Sequence, residues 1–180
     1  MALILPRRAV LTGAPGAGKT TLLGAAAAAG LITSPEVARR ILREPGGMEL
    51  RARDPLGFAA AMLEGHHGEF TAHGAAPGAV LFDPGFPDVV GFLEVSGLAV
   101  PAAVDRACRT LRYTGPVFRA PAWAQIYTSD PERIQDWAGA VASDEAVTAA
   151  WKRYGYDPID LPLAGVDERL AFVLGRLAGS

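Results

Sequence analysis

"VLTGAPGAGKTTLL", residues 10–23, starts as a short apolar run, breaks at Gly13, and resumes at Lys19 as a stretch rich in helix formers. Within it, Gly13 to Thr20 reads Gly, four residues, Gly-Lys-Thr. The glycines let the backbone turn so that successive N–H groups point inward, and the N-terminal end of the following helix adds positive potential. Such a cradle suits phosphate oxygens. Gly13, Ala14, Pro15, Gly16, Ala17 and Gly18 would supply its backbone, and Lys19 would neutralise the β and γ phosphates of a nucleoside triphosphate. Thr20 would offer its hydroxyl to Mg2+, and Thr21 would reach the α-phosphate. Strand, loop and helix fall where this chemistry needs them, which sets the match apart from an ordinary glycine-rich turn.

Working outward, a buried strand over 9–13 is followed by a helix from Lys19 that stops at Gly30. A short strand is expected at 31–33, and "SPEVARRILRE" (34–44) predicts a helix with Ser34 as its cap and Pro35 in its first turn. "REPGGMELRARD" (43–54) reads as a loop, "PLGFAAAMLEGHHGEFTAHG" (55–74) as a long helix, and "AVLFD" (79–83) as a second buried strand. Further helices begin at Pro87 and Pro101, and "GPVFRA" (115–120) is a third core strand. Residues 121–141 mix proline, aromatic and charged side chains before running into a helix. The end of the chain predicts a strand, a turn and a helix with Leu170, Val173, Leu174 and Leu177 on one face. Apolar strands alternating with helices imply an α/β fold with a parallel sheet covered on both sides.

A chain of 180 residues, half of them hydrophobic, suits a single domain spanning 1–180. Its formal charge of −2 gives no electrostatic basis for general nucleic-acid binding, although a basic pocket for a compact phosphate fits within it. The one cysteine, Cys108, excludes an internal disulfide and a cysteine-rich zinc site, and is expected as a buried apolar side chain. The longest weakly polar stretch, 22–32, is too short to cross a bilayer, so no membrane partner is expected. The start, "MALILPRRAV", has its apolar run before its arginines, the reverse of a secretory signal, and a cytoplasmic location is the expectation.

Transfer of a γ-phosphate needs an acid near the metal, a carboxylate to take the proton of an attacking hydroxyl, and arginines over the moving group. Asp83 ends the strand "AVLFD" and would open beside the phosphate loop as the Mg2+-side acid, directly or through water. Glu36 is the candidate base, with Arg39 three residues on to position the acceptor. Arg133, in "SDPERIQDW" (129–137), is the candidate lid cation, with Arg119 or Arg112 as a second. Phe86 and Asp88 are candidates for the acceptor wall. His66 and His67 point about 100° apart on a helix and suit a surface or a substrate pocket better than a shared metal. Trp123, Tyr127 and Phe58 are suited to the core, or to stacking on a base.

Taken together, the chain resembles a group of small bacterial P-loop "predicted ATPases" classed with the nicotinamide riboside kinase domain. The resemblance rests on "VLTGAPGAGKTTLL", "PEVARRIL", "VLFDPGFPDVVGFL", "PAWAQIYTSDPERIQDW" and "VDERLAFVLGRL", in that order along nearly the whole length. It implies a P-loop NTPase of nucleoside and nucleotide kinase type: a five-stranded parallel sheet, helices on both faces, and a lid at about 120–140. By resemblance, Glu36 and Arg39 match a Glu-x-x-Arg element, and Asp83 and Asp88 match acids of an Asp-Arg-Gly element. Pro84 stands where that group usually has Arg, so any contact made by that guanidinium is absent or supplied elsewhere.

Three activities compete at this stage. The first is a Mg2+-dependent kinase moving the γ-phosphate of ATP to a hydroxyl of a small, nucleoside-like acceptor. The second is an ATPase or GTPase switch acting on a partner, and the third a nucleotide-binding scaffold without turnover. The chain has no guanine-reading Asn-Lys-x-Asp pattern, which favours ATP.

Overall fold

The computed structural model describes residues 7–127 and 136–179. Its elements are β1 (Arg8–Gly13), α1 (Lys19–Ala28), β2 (Ile32–Ser34), α2 (Val37–Arg43), α3 (Gly47–Arg53), α4 (Pro55–Ala72) and β3 (Val80–Phe82). They continue as α5 (Phe86–Val95), α6 (Ala102–Thr110), β4 (Val117–Ala120), α7 (Trp137–Arg153), β5 (Ile159–Asp160) and α8 (Val166–Ala178). The strands form one parallel sheet in the order β2-β3-β1-β4-β5. β1 is the central strand: Val10 pairs with Phe82 on one side and with Val117 on the other. The chain leaves β1 toward β2 and later returns to its other side at β4, so the carboxyl end of β1 faces the crevice where the winding reverses.

Side chains alternate along the strands and feed two cores. Ala9, Leu11, Leu81 and Phe118 pack with Leu22 of α1 and Val173 of α8. Val10, Val80, Phe82 and Val117 pack with α2, α4, α5, α6 and α7 on the opposite face, around an aromatic cluster that includes Phe70, Phe86, Tyr113 and Trp151. The expected P-loop kinase architecture, with helices on both faces of a five-stranded parallel sheet, is the fold observed.

Three local expectations need correction. Ser34 belongs to β2 rather than to a helix, and Glu36 stands at the N-cap of α2 with no side-chain cap bond. Residues 47–53, read as loop, form α3. The Pro-Gly-Gly run masked the good helix formers after it; Gly46 takes a left-handed turn (φ 79°), Glu49 pairs with Arg53 one turn on, and Leu50 packs on the core. In α8, Val173 is buried as expected, but Leu174 remains 37% exposed.

Candidate active site

The loop after β1 is shaped by close approach as well as by turning. Gly13 has φ 117°, and a Cβ there would fall 2.2 Å from the carbonyl oxygen of Ala120 at the end of β4, so no side chain fits. Ala14 N–H donates to the same carbonyl at 2.9 Å. Gly16 and Gly18 also have positive φ, 75° and 81°, and Gly18 is the N-cap of α1. Ala14 and Ala17 are buried, which leaves their peptide groups rather than their side chains to shape the cradle. Lys19 Nζ donates to the carbonyls of Ala14 (2.6 Å) and Gly13 (3.2 Å), folded back over the loop that carries it.

One cavity of about 610 Å3 extends from this loop. Gly13, Pro15, Gly16, Gly18, Lys19, Thr20 and Thr21 line one part of it, and Glu36, Arg39, Pro84 and Asp88 another. The Glu36 carboxylate pairs with Arg39 Nε at 3.3 Å. These residues, separated by up to 75 positions in sequence, are brought together because β1, β2 and β3 all end at the same edge of the sheet.

Asp83 lies just behind this wall, 1% exposed, and among the described residues neither carboxylate oxygen has a hydrogen-bond partner. Its peptide bond to Pro84 is cis. Burial, reinforced by the negative charge of Glu36, raises the Asp83 pKa to about 7, with Lys19 opposing the rise. An unpaired buried carboxylate is costly unless a cation answers it. Thr20, whose side chain is open to the cavity, and Asp83 are therefore a fitting pair for Mg2+, a hard ion that takes few protein oxygens and completes its shell with phosphates and water. Among the described residues no cluster of three or more His, Cys, Asp or Glu side chains is suited to a metal.

Of the two residues expected on the acceptor wall, one is absent from it and the other is already engaged. Phe86 is fully buried, with its ring packed against Phe70, His67 and Tyr113, and it does not line the cavity. Asp88 touches the cavity, but its oxygens are occupied: Thr12 donates to Oδ1 at 2.5 Å, and Trp151 Nε1 donates to Oδ2 at 2.8 Å. Gly85 N–H adds a bond to Oδ2 at 3.3 Å, so the Asp88 side chain reaches back to the N-cap of α5. Burial raises the Asp88 pKa to about 6 against these bonds. Its geometry ties α5, α7 and β1 together. Arg133 lies outside the described residues. Arg119 is committed to a fork on Asp144, with bonds of 2.8 and 2.9 Å, and to Asp160, while Arg112 donates to the carbonyls of Cys108 and Tyr154. Neither is placed to cover a phosphate.

Other residues enter the cavity that the motifs did not single out. Arg169, 2% exposed on α8, donates to Ala17 O (2.6 Å) and Pro162 O (2.8 Å), and its guanidinium lies 5.1 Å from the Trp123 ring. Its Nη2 has no partner, and burial lowers its pKa. Trp123, Ile126, Gly165 and Val166 line the same side. On the far side the wall is largely apolar, from Leu42, Phe58, Met62 and Phe92, with His66 and Arg51 as its polar members. His66, Trp123 and Phe58 were among the sequence candidates for a pocket or for stacking, whereas Arg169 had only its place inside "GVDERL" as a signal and Arg51 lay in the stretch read as loop.

Among curated proteins no sequence match is found. Among solved structures, the chain is similar to deoxyadenosine kinase from M. mycoides with its products dCMP and dCDP. That match is 11% identical with TM-score 0.74, and covers 96% of this chain and 100% of that one. The same enzyme with bound dATP matches at 12% identity and TM-score 0.72, with the same coverage. NadR protein in complex with NR matches at 15% identity and TM-score 0.67, over 97% of this chain and 50% of the NadR chain. At such identities the likeness is one of fold. The family model described as "AAA domain" matches residues 8–169, most of the chain, and the protein belongs to that family.

Proposed function

We propose that the protein is a Mg2+-dependent kinase that transfers the γ-phosphate of ATP to a hydroxyl of a small, nucleoside-like molecule. The observation that carries this reading is that one cavity is lined by the phosphate loop, by the Glu36 carboxylate and by the apolar side chains Leu42, Phe58, Met62 and Phe92. A hydrolase needs room only for water beside the γ-phosphate, whereas an apolar lining next to the phosphate loop suits a second substrate.

The loop N–H groups and Lys19 bind the triphosphate, and Lys19 exchanges its bonds to Gly13 and Ala14 for phosphate oxygens. When bound, Mg2+ neutralises charge on the phosphate oxygens, held by Thr20 and Asp83. The Glu36 carboxylate accepts the proton of the attacking hydroxyl as its oxygen bonds to the γ-phosphorus and the bond to the ADP oxygen breaks. Arg39, paired with Glu36, orients that carboxylate and faces the transferred group. Arg133 is the lid residue proposed to cover the phosphates, within a lid at about 120–140. Trp123, Arg169 and the turn at 164–166 flank the side suited to the adenine.

An assay of nucleosides, nicotinamide riboside and aminoglycosides with labelled ATP tests the reading. Transfer to at least one of them is expected, abolished by Lys19→Ala and reduced at least 100-fold by Glu36→Gln. Steady phosphate release to water with no transfer would overturn it. Pro84, in place of the Arg of similar chains, favours a second reading, a slow hydrolytic switch. That reading predicts nucleotide-dependent association with a partner in a pull-down with a non-hydrolysable analogue.

A further inference from the structure

The chamber beyond Glu36 has a polar end of its own. α5 runs from Asp88, bonded to Thr12 beside the loop, to Phe92, about 6 Å further along the helix axis. Over the Phe92 ring, 5.8 Å from its centroid, lies the Arg51 guanidinium, carried by α3. Arg51 is half-buried and lines the cavity. Its neighbour Arg53 pairs with Glu49, whereas among the described residues Arg51 has no carboxylate or carbonyl partner, and burial lowers its pKa. His66 lines the same chamber from α4, 3% exposed. Burial first, and then the charge of Arg40, lowers its pKa to about 3, so its ring is a neutral donor and acceptor at physiological pH. Between these two groups the walls are Leu42, Phe58, Met62 and Phe92.

A desolvated guanidinium without a counter-charge favours an anion and disfavours a cation. Apolar and aromatic walls favour a flat or hydrophobic body. We propose that Arg51 is the acceptor-specificity residue, and that the acceptor is an alcohol with an aromatic or cyclic body and a carboxylate at the end away from the transferred hydroxyl. The Arg51 guanidinium takes the carboxylate, the His66 ring meets a polar edge of the body, and the hydroxyl points back to Glu36. This deepens the kinase reading and rests on it for the direction of the hydroxyl.

Two matched pairs test the charge requirement directly: nicotinic acid riboside against nicotinamide riboside, and orotidine against uridine. Each pair differs by a carboxylate. Binding is measured by calorimetry with Mg2+ and a non-hydrolysable ATP analogue, and transfer is measured separately with labelled ATP. The acid member of at least one pair is expected to bind about tenfold tighter or more than its partner. In Arg51→Gln the ratio should collapse toward one, and in Arg51→Lys part of it should return, with melting temperatures of both variants matching the parent. Equal binding within both pairs, tighter binding of the members without the carboxylate, a preference that survives Arg51→Gln, or no binding by any of the four overturns the inference. An Arg51-dependent preference without transfer upholds it and defeats the kinase reading. Transfer without preference does the reverse.

Discussion

Asp83 concentrates the tension between stability and chemistry in one side chain. It is buried, unpaired and close enough to Glu36 and Lys19 to feel both charges. Its folded pKa is raised above the ordinary carboxylate value, so the stability it contributes is fully present below that ordinary value and is lost as pH rises through about 7. Asp83→Asn is therefore expected to raise the melting temperature of the metal-free protein at pH 8, and to raise it less at pH 5. The gain should be about 1–3 kcal/mol, because Asn leaves a buried polar group in place but removes the buried charge beside Glu36. The same variant should lose Mg2+-dependent nucleotide turnover, the usual exchange of stability against function. Thermal melts at the two pH values and an activity titration with MgCl2 check both halves.

His66 carries the opposite sign. Its folded pKa, about 3, lies below the ordinary imidazole value, so the unfolded chain binds the extra proton first. The stability it contributes is present above about 6.5 and is lost as pH falls from there toward 3, at up to about 1.4 kcal/mol per pH unit. Arg40 and His67, the charged or titratable neighbours that act on it, push the same way. His66→Gln should flatten the acid limb of a urea-midpoint profile by close to one proton. An unchanged limb would show that the ring is solvated.

At the scale of elements, the site depends on how closely helices lie on one another. α5 and α7 meet at Gly91, where a Cβ would fall 2.6 Å from Val147 Cγ1 and 2.8 Å from the Val147 Cα. Backbone cannot step aside as a flexible side chain can. Gly91→Ala is expected to cost about 1–3 kcal/mol by forcing the pair apart, read as a lower urea midpoint. Because α5 carries Asp88 and Phe92, acceptor binding should weaken in the same variant. The end of β4 is held in a comparable way by Asp144, 3% exposed, which receives the Arg119 fork and the Ala122 N–H. Asp144→Ala leaves that N–H unpaired and Arg119 with Asp160 alone, and should destabilise by about 1–3 kcal/mol. The effect would fall on the residues that follow β4, visible as faster proteolysis near residues 121–127.

At the scale of the whole molecule, nucleotide binding should couple to global stability. A non-hydrolysable ATP analogue at about 100 times its dissociation constant adds about 2.7 kcal/mol, which for a chain of this size is a rise of about 5–11 °C in melting temperature. The rise should need Mg2+ for its full extent and disappear in Lys19→Ala. A shift retained in that variant would place the nucleotide somewhere other than the loop.

How much of this was legible in the sequence follows the range of the interactions. The phosphate loop is a local device: its glycine spacing and flanking strand and helix specify backbone direction within a dozen residues, so Gly13 to Thr21 could be read directly. The alternation of apolar strands and helices likewise implied the parallel sheet, because periodicity reports which faces are buried. Short capping elements were less legible. Ser34 and Pro35 look like a helix start, yet pairing with β3 draws Ser34 into β2, and the Pro-Gly-Gly run hid α3. Composition and motif together thus determined the fold class and the phosphate end of the site. Tertiary packing alone decided that Phe86 joins the core, that Asp88 is a strut, that Arg119 is already occupied, and that Arg51, His66 and Arg169 share a cavity with the loop. Those outcomes depend on which side chains meet across long sequence separations, on the partners available to each buried charge, and on the space left between helices. None of these is encoded in a local pattern.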